Sequence, residues 1–170
     1  MSELTADRVR ELFDYDAATG SLTWRVTRGG TARAGSAAGG VNGNGYLVVK
    51  IHQRSYLNHR IAWFWSYGEW PLDQIDHINR DRLDNRLDNL RPASNTENRR
   101  NSSVNRNNNS GIPGVSFLGR LGKWQANIRV NRKLLYLGVF ATQSDAAEVR
   151  RAAEIQHFGV FAPHHNGTGA

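Results

Sequence analysis

Five side chains in the run IDHINRDRLDNRLDNLRPASNTEN, residues 75–98, have the types and spacing for hydrolytic chemistry. Asp76 offers a hard carboxylate oxygen, and His77 beside it offers an imidazole whose ordinary pKa is about 6.5. Asn85 and Asn89 stand four apart, and Asn98 closes the run. The Asp76 carboxylate and a neutral amide oxygen from Asn98, completed by waters and a phosphate oxygen, suit Mg²⁺ or another divalent ion such as Mn²⁺. Such ions take few protein ligands and keep much of their water. Neighbouring side chains on an extended chain point to opposite faces, so His77 need not ligate the ion that Asp76 holds. It is placed instead to take a proton from water, while the ion stabilises charge on a phosphate and on a leaving 3′ oxygen. Each residue alone has an ordinary reading: an Asp-His pair is common surface decoration, and Asn85 and Asn89 are good turn formers. Their conjunction in one strand-loop-helix context is what points to a site.

Positioning these groups takes a strand over 74–78, a loop over 79–88, a short second strand over 89–91 and a helix from Pro92 to Asn101. Ser94 and Glu97 have the spacing of a capping box for that helix. Upstream, the apolar spacing of Leu4, Val9, Leu12 and Phe13 predicts a helix over 4–15 with Thr5 as its cap, followed by a turn over 16–20. The alternation of Leu22, Trp24 and Val26 predicts a strand over 21–26. The Gly-rich stretch 27–45 reads as a flexible loop, or as a basic loop lying along a phosphate backbone. Strands follow over 46–51 and 55–57, then a helix over 58–68 capped by Asn58, with Trp63, Trp65 and Trp70 as core builders. His59 reads as a buried imidazole braced near the site or as an accessory catalytic group. Arg60 reads as a phosphate contact or as part of the domain lining.

Residues 101–109 hold almost nothing apolar and several Asn, so they read as a linker. Beyond it, strands over 114–117, 123–130 and 134–140 and a helix over 144–158 predict a three-stranded antiparallel sheet on one helix. Ala146, Ala147, Val149, Ala153 and Ile155 form the expected packing side of that helix. The other sheet face is polar and basic, with Lys123, Gln125 and Arg129, plus Arg120 and Arg132 in the turns. A small sheet of this kind can enter the major groove, where Arg pairs with guanine and Gln or Asn with adenine.

Lys and Arg number 22 against 15 acidic residues, a net charge of +7 that favours polyanion partners. There is no Cys, which excludes disulfides, thiolate metal sites and a Cys nucleophile. No apolar run approaches the roughly 18 residues of a membrane span, and the first residues show no signal-peptide core; a cytoplasmic protein, of the host cell if phage-encoded, is the expectation. Charge alone does not separate DNA from RNA, and the oligomeric state is open, with a monomer sufficient.

HRIAW, GEWP, IDHINRDRLDNRLDNLR and TENRRN together resemble the HNH endonucleases of phages and mobile introns, over about Leu4 to Asn101. The resemblance implies a ββα-metal nuclease fold of the α+β class, acting on double-stranded DNA in the manner of a homing endonuclease. It makes Asp76 a metal ligand, His77 the general base, Asn89 the middle Asn that buttresses the loop, and Asn98 a metal ligand in place of the motif's last His. Asn85 also fits the loop-bracing role. The stretch from SGIPGVSF to AEIQHFG resembles the ethylene-response-factor (apetala) DNA-binding domain over about 50 residues. By position, Arg129 matches a DNA-contacting Arg and Tyr136 a DNA-contacting Trp. Ser116, Leu121 and Leu134 depart from that pattern, so base preference does not transfer. The expected organisation is a nuclease domain over 1–101, a linker over 102–110, a DNA-binding domain over 111–163 and a tail over 164–170 with paired His164 and His165. The competing readings are a DNA-binding regulator with an inactive nuclease domain and an RNA-directed nuclease.

Overall fold

Helical spacing gives way to period-two alternation after Leu12. Helix α1 spans Ala6–Leu12, and Thr5 caps it, its hydroxyl accepting from the Arg8 amide at 3.2 Å. The expected continuation to Tyr15 is instead strand β1 (Phe13–Asp16), with Phe13 and Tyr15 buried and Asp14 and Asp16 exposed. On a helix, Phe13 and Tyr15 would lie on nearly opposite sides. On a strand they share one face, and both reach the core. Strand β1 pairs antiparallel with β2 (Ser21–Trp24), Phe13 opposite Trp24.

The computed structural model describes residues 4–100 and 108–163 and divides the chain into two units, Met1–Asn98 and Arg99–Ala170. Most of the expected linker and the whole tail, including His164 and His165, lie outside the described residues. In the first unit, β3 (Gly40–Val41), β4 (Leu47–Ile51) and β5 (Arg54–Leu57) form an antiparallel sheet in that order. The Gly-rich stretch is therefore not all loop: it carries β3 and buries Ala38. Strand β5 runs directly into α2 (Asn58–Tyr67), so Leu57 takes the cap position, and Asn58 is the first helical residue. The Asn58 amide instead donates to the Ala38 carbonyl at 2.7 Å and fastens the Gly-rich stretch to α2. Val9, Leu12, Phe13, Trp24, Val49, Ile51, Ile61, Phe64, Ile75 and Leu90 make one core, with Trp63, Trp65 and Trp70 packed at its margin. Strands β6 (Gln74–His77) and β7 (Leu90–Ala93) pair antiparallel, with a turn of 3-10 helix at Leu87–Asn89 between them, and α3 (Asn95–Arg100) follows.

The second unit is an antiparallel sheet in the order β10-β9-β8, built from β8 (Val115–Leu118), β9 (Lys123–Val130) and β10 (Lys133–Phe140). Helix α4 (Gln143–Phe158), capped by Thr142, covers one face, burying Val115, Ala126, Ile128, Ala146, Ala153 and Phe158. Ile155, expected on the packing side, is 50% exposed. Arg150, three or four residues from Ala146, Ala147 and Ala153, and Glu154, one turn further on, take the inner positions instead. They form an ion pair at 3.1 Å, and Arg150 Nε donates to the Pro113 carbonyl at 2.9 Å. The chain thus mixes α and β structure, and among the described residues no helix is long and apolar enough to cross a membrane.

Gly114 sits at φ +72°, and a Cβ there would run into the Asn127 carbonyl and stand 2.9 Å from Arg150 Nε. Gly114→Ala is expected to destabilise the second unit by about 2 kcal/mol. Amide exchange of β9 under mild urea measures this, and unchanged protection would mean that the close approach relaxes freely.

Candidate active site

The β6–β7 register sorts the site residues onto two faces. Asp76 stands opposite Arg91, and His77 stands opposite Leu90. Because faces alternate along a strand, Asp76 and Gln74 lie on one side, and His77 and the core residue Ile75 on the other.

His77 is only 4% exposed, and groups from three other segments surround it. Its Nε2 lies 3.0 Å from the Asn85 amide oxygen, and Asn85 is itself buried. An amide oxygen accepts and cannot donate, so in this contact Nε2 is the donor. His59, at the start of α2, meets the His77 ring edge-on, with centroids 4.9 Å apart at 83°. Tyr46 lies 5.5 Å from His59 and 6.0 Å from His77, and Arg82 sits 4.9 Å over the Tyr46 ring. Burial, then the neighbouring His77, then Arg60, push His59 down to about 3, so it is a neutral imidazole at working pH.

The β1–β2 hairpin holds Asn85 from behind. The Tyr15 hydroxyl donates to the Asn85 carbonyl at 2.8 Å. Gly20 passes so close that a Cβ on it would lie 2.6 Å from the Asn85 carbonyl carbon. Burial, then Asp16, Asp88 and Asp84, push Tyr15 up to about 12, which keeps its hydroxyl a donor.

Asn89 does different work. Its oxygen accepts from the Asn79 amide at 2.9 Å, and its nitrogen donates to the Asp84 carbonyl at 2.7 Å and to Asn79 Oδ1 at 3.0 Å. One side chain thereby ties both ends of the loop between β6 and Asn85. The Arg86 fork on Asp84, with two bonds of 2.9 Å, tightens the same loop and holds Asp84 down to about 2.

On the other face, Asp76 is 5% exposed, and its Oδ2 accepts from Arg91 at 2.9 and 2.6 Å. Ser94 and Glu97 form the expected capping box at the start of α3: Glu97 Oε2 accepts from the Ser94 amide at 2.8 Å, and the Ser94 hydroxyl accepts from the Glu97 amide at 3.3 Å. Asn98 on that helix donates to the Gln74 amide oxygen at 2.5 Å. Gln74 shares the face of Asp76, about 7 Å away along the strand by its rise per residue. A buried carboxylate and an amide on one strand face are hard oxygen donors of the kind Mg²⁺ takes, and Arg91 balances the Asp76 charge otherwise.

Residues 56–100 match the HNH endonuclease family model. No curated protein and no solved structure matches the chain. The HNH match runs from β5 through α3 and includes His59, Asp76, His77, Asn85, Asn89 and Asn98. It supports nuclease chemistry on DNA for this segment. Tyr15, Gly20 and Tyr46, which brace the HNH segment, lie outside the match, and sequence reasoning missed all three. Only the Gly20 turn signal hinted at any of them. Arg60, read as a phosphate contact or as part of the domain lining, donates to the carbonyls of Asp73 at 3.0 Å and Pro71 at 3.4 Å and so fixes the approach to β6. In the second unit, Arg120, Lys123, Arg129, Arg132 and Tyr136 are exposed, and Gln125 is half-buried.

A neutral buried His59 has a stability consequence. In the unfolded chain it takes up a proton near pH 6.5, but in the folded chain only near pH 3, so between these values the unfolded state binds more protons. Its contribution is fully present above pH 6.5 and is lost as pH falls. From pH 6.5 to 5 it removes about 2 kcal/mol. Urea unfolding across that range should show a shallower pH slope in His59→Phe than in the parent, and equal slopes would refute the buried neutral imidazole.

Proposed function

We propose that the protein is a metal-dependent endonuclease of the homing type, which hydrolyses a phosphodiester of double-stranded DNA through its first unit and is anchored on the duplex by the sheet of its second. The observation that carries the reading is the clamp on His77: a buried imidazole held at Nε2 by Asn85 and edge-on by His59, on the strand that carries Asp76, within the HNH match. His77 takes the proton of a water whose oxygen bonds to phosphorus as the P–O3′ bond breaks. Asn85 keeps the ring from turning and stabilises the imidazolium through the Nε2 hydrogen. A neutral His59 adds no repulsion as that charge forms. Asp76 and Asn98 would hold Mg²⁺ or Mn²⁺, with the Asn98 amide turning from Gln74 to do so. When bound, the ion supplies charge stabilisation at the phosphate and the leaving oxygen. Asn89 serves the loop rather than the reacting atoms. Lys123, Gln125, Arg129 and Tyr136 on the sheet strands, with Arg120 and Arg132 in the turns, form the duplex anchor.

In a plasmid nicking assay with Mg²⁺, His77→Ala is expected to lose roughly 10²–10⁴-fold in rate while still binding DNA. Asp76→Ala should lose the response to the ion, and a chelator should stop the parent. Full cleavage by His77→Ala would overturn the base assignment, and unchanged activity in Asp76→Ala would take that carboxylate out of the site.

Asn85 and Asn89 separate by readout. Asn85→Ala is expected to lower the rate roughly 10–100-fold, the usual loss for a group that orients another. Asn89→Ala should cost about 2 kcal/mol in urea unfolding, because its bonds hold the loop. The opposite pattern would exchange the two roles.

A further inference from the structure

The open face of the second unit has its own chemistry. Residues 108–142 contain five basic side chains, Arg120, Lys123, Arg129, Arg132 and Lys133, and no acidic one. The acidic residues of 143–163, which are Asp145, Glu148 and Glu154, all belong to α4, the helix packed on the opposite face. The sheet thus turns an unopposed positive surface outward, which is complementary to a polyanion. Three strands at about 4.8 Å spacing span about 10 Å. That width enters the major groove of DNA, about 12 Å across, but not the minor groove, about 6 Å across. The deep, narrow major groove of an RNA duplex would not admit it.

The centre of this face is not basic. Gln125 and Asn127 point the same way from β9, and Gln125 Nε2 donates to Asn127 Oδ1 at 3.2 Å. Across from them on β10, Tyr136 stands opposite Asn127, and Leu134 stands opposite Arg129. Tyr136 is 63% and Leu134 61% exposed, a large apolar area left to solvent. A carboxamide beside an apolar group one strand away matches one base pair in particular. Adenine offers N7 and the N6 amino group to Gln or Asn, and its partner thymine offers the only methyl group in the groove. Arg129 is the single Arg on the strands of this face, and Lys123, at the start of β9, is the other strand side chain there able to pair with guanine.

We infer that the β8–β10 sheet reads A·T-rich duplex DNA in the major groove, Gln125 and Asn127 contacting adenine edges and Leu134 and Tyr136 covering thymine methyl groups. This rests on the duplex-anchoring part of the proposed function and not on its chemistry. The test uses the full chain with chelator, so that nothing is cut, and fluorescence anisotropy on three duplexes of equal length: A·T-rich, G·C-rich, and the A·T-rich sequence with uracil for thymine. The A·T-rich duplex should bind roughly tenfold tighter than the G·C-rich one. Uracil, which lacks only the methyl, should lose several-fold. Leu134→Ser and Tyr136→Ser together should erase the sensitivity to uracil and leave the salt dependence unchanged. Equal affinity for A·T-rich and G·C-rich duplexes, or indifference to uracil, would overturn the inference while leaving the anchor intact. Self-association abolished by Leu134→Ser would assign the apolar pair to a second copy and overturn it too. No binding to any duplex would overturn the anchor as well, and the nicking assay stands apart from all these results.

Discussion

The contact between His77 Nε2 and the Asn85 amide oxygen is the constraint on which the first unit turns. An imidazole useful as a base must present one nitrogen and commit the other. A carboxamide oxygen does this by accepting from Nε2. The rest of the unit keeps Asn85 in place: the Tyr15 hydroxyl on its carbonyl, the bare Cα of Gly20 against its backbone, and the loop that Asn89 and Arg86 tie on the side toward β6. Buried polar groups are costly unless satisfied, and the Asn85 oxygens meet His77 and Tyr15.

The alternation of β6 then does something a helix or loop would not. It puts the imidazole and the carboxylate next to each other in sequence and on opposite faces. His77 sits in a buried aromatic environment of His59 and Tyr46, and Asp76 in a polar one with Arg91. The two groups therefore have different surroundings.

Much of this was legible in the residues. The capping box at Ser94 and Glu97 placed α3, and the alternation in KWQANIRV placed β9 with its inner and outer faces. The Asp-His pair marked the strand. What stayed hidden was what only tertiary pairing decides. FDYD reads as the end of a helix until Trp24 and Leu22 are there to face it. Asn85 and Asn89 have the same side chain, so nothing in their spacing says which reaches the ring and which closes the loop. Arg150 and Glu154 look like an exposed i, i+4 pair and are buried because Pro113 and the sheet cover them. Tyr15, Gly20 and Tyr46 act on the site from 28 or more residues before the first β6 residue in the chain, beyond the reach of any local pattern.

That distance bears on how portable the chemistry is. The hairpin carrying Tyr15 and Gly20 and the residue Tyr46 precede the HNH segment, yet they form the wall behind Asn85 and His77. A fragment cut to the bounds of the family match would carry every polar group of the site and none of this wall. A transplantable cassette that keeps this wall therefore includes the β1–β2 hairpin and Tyr46, and residues 13–46 are a chassis for the segment that follows rather than an appendage to it.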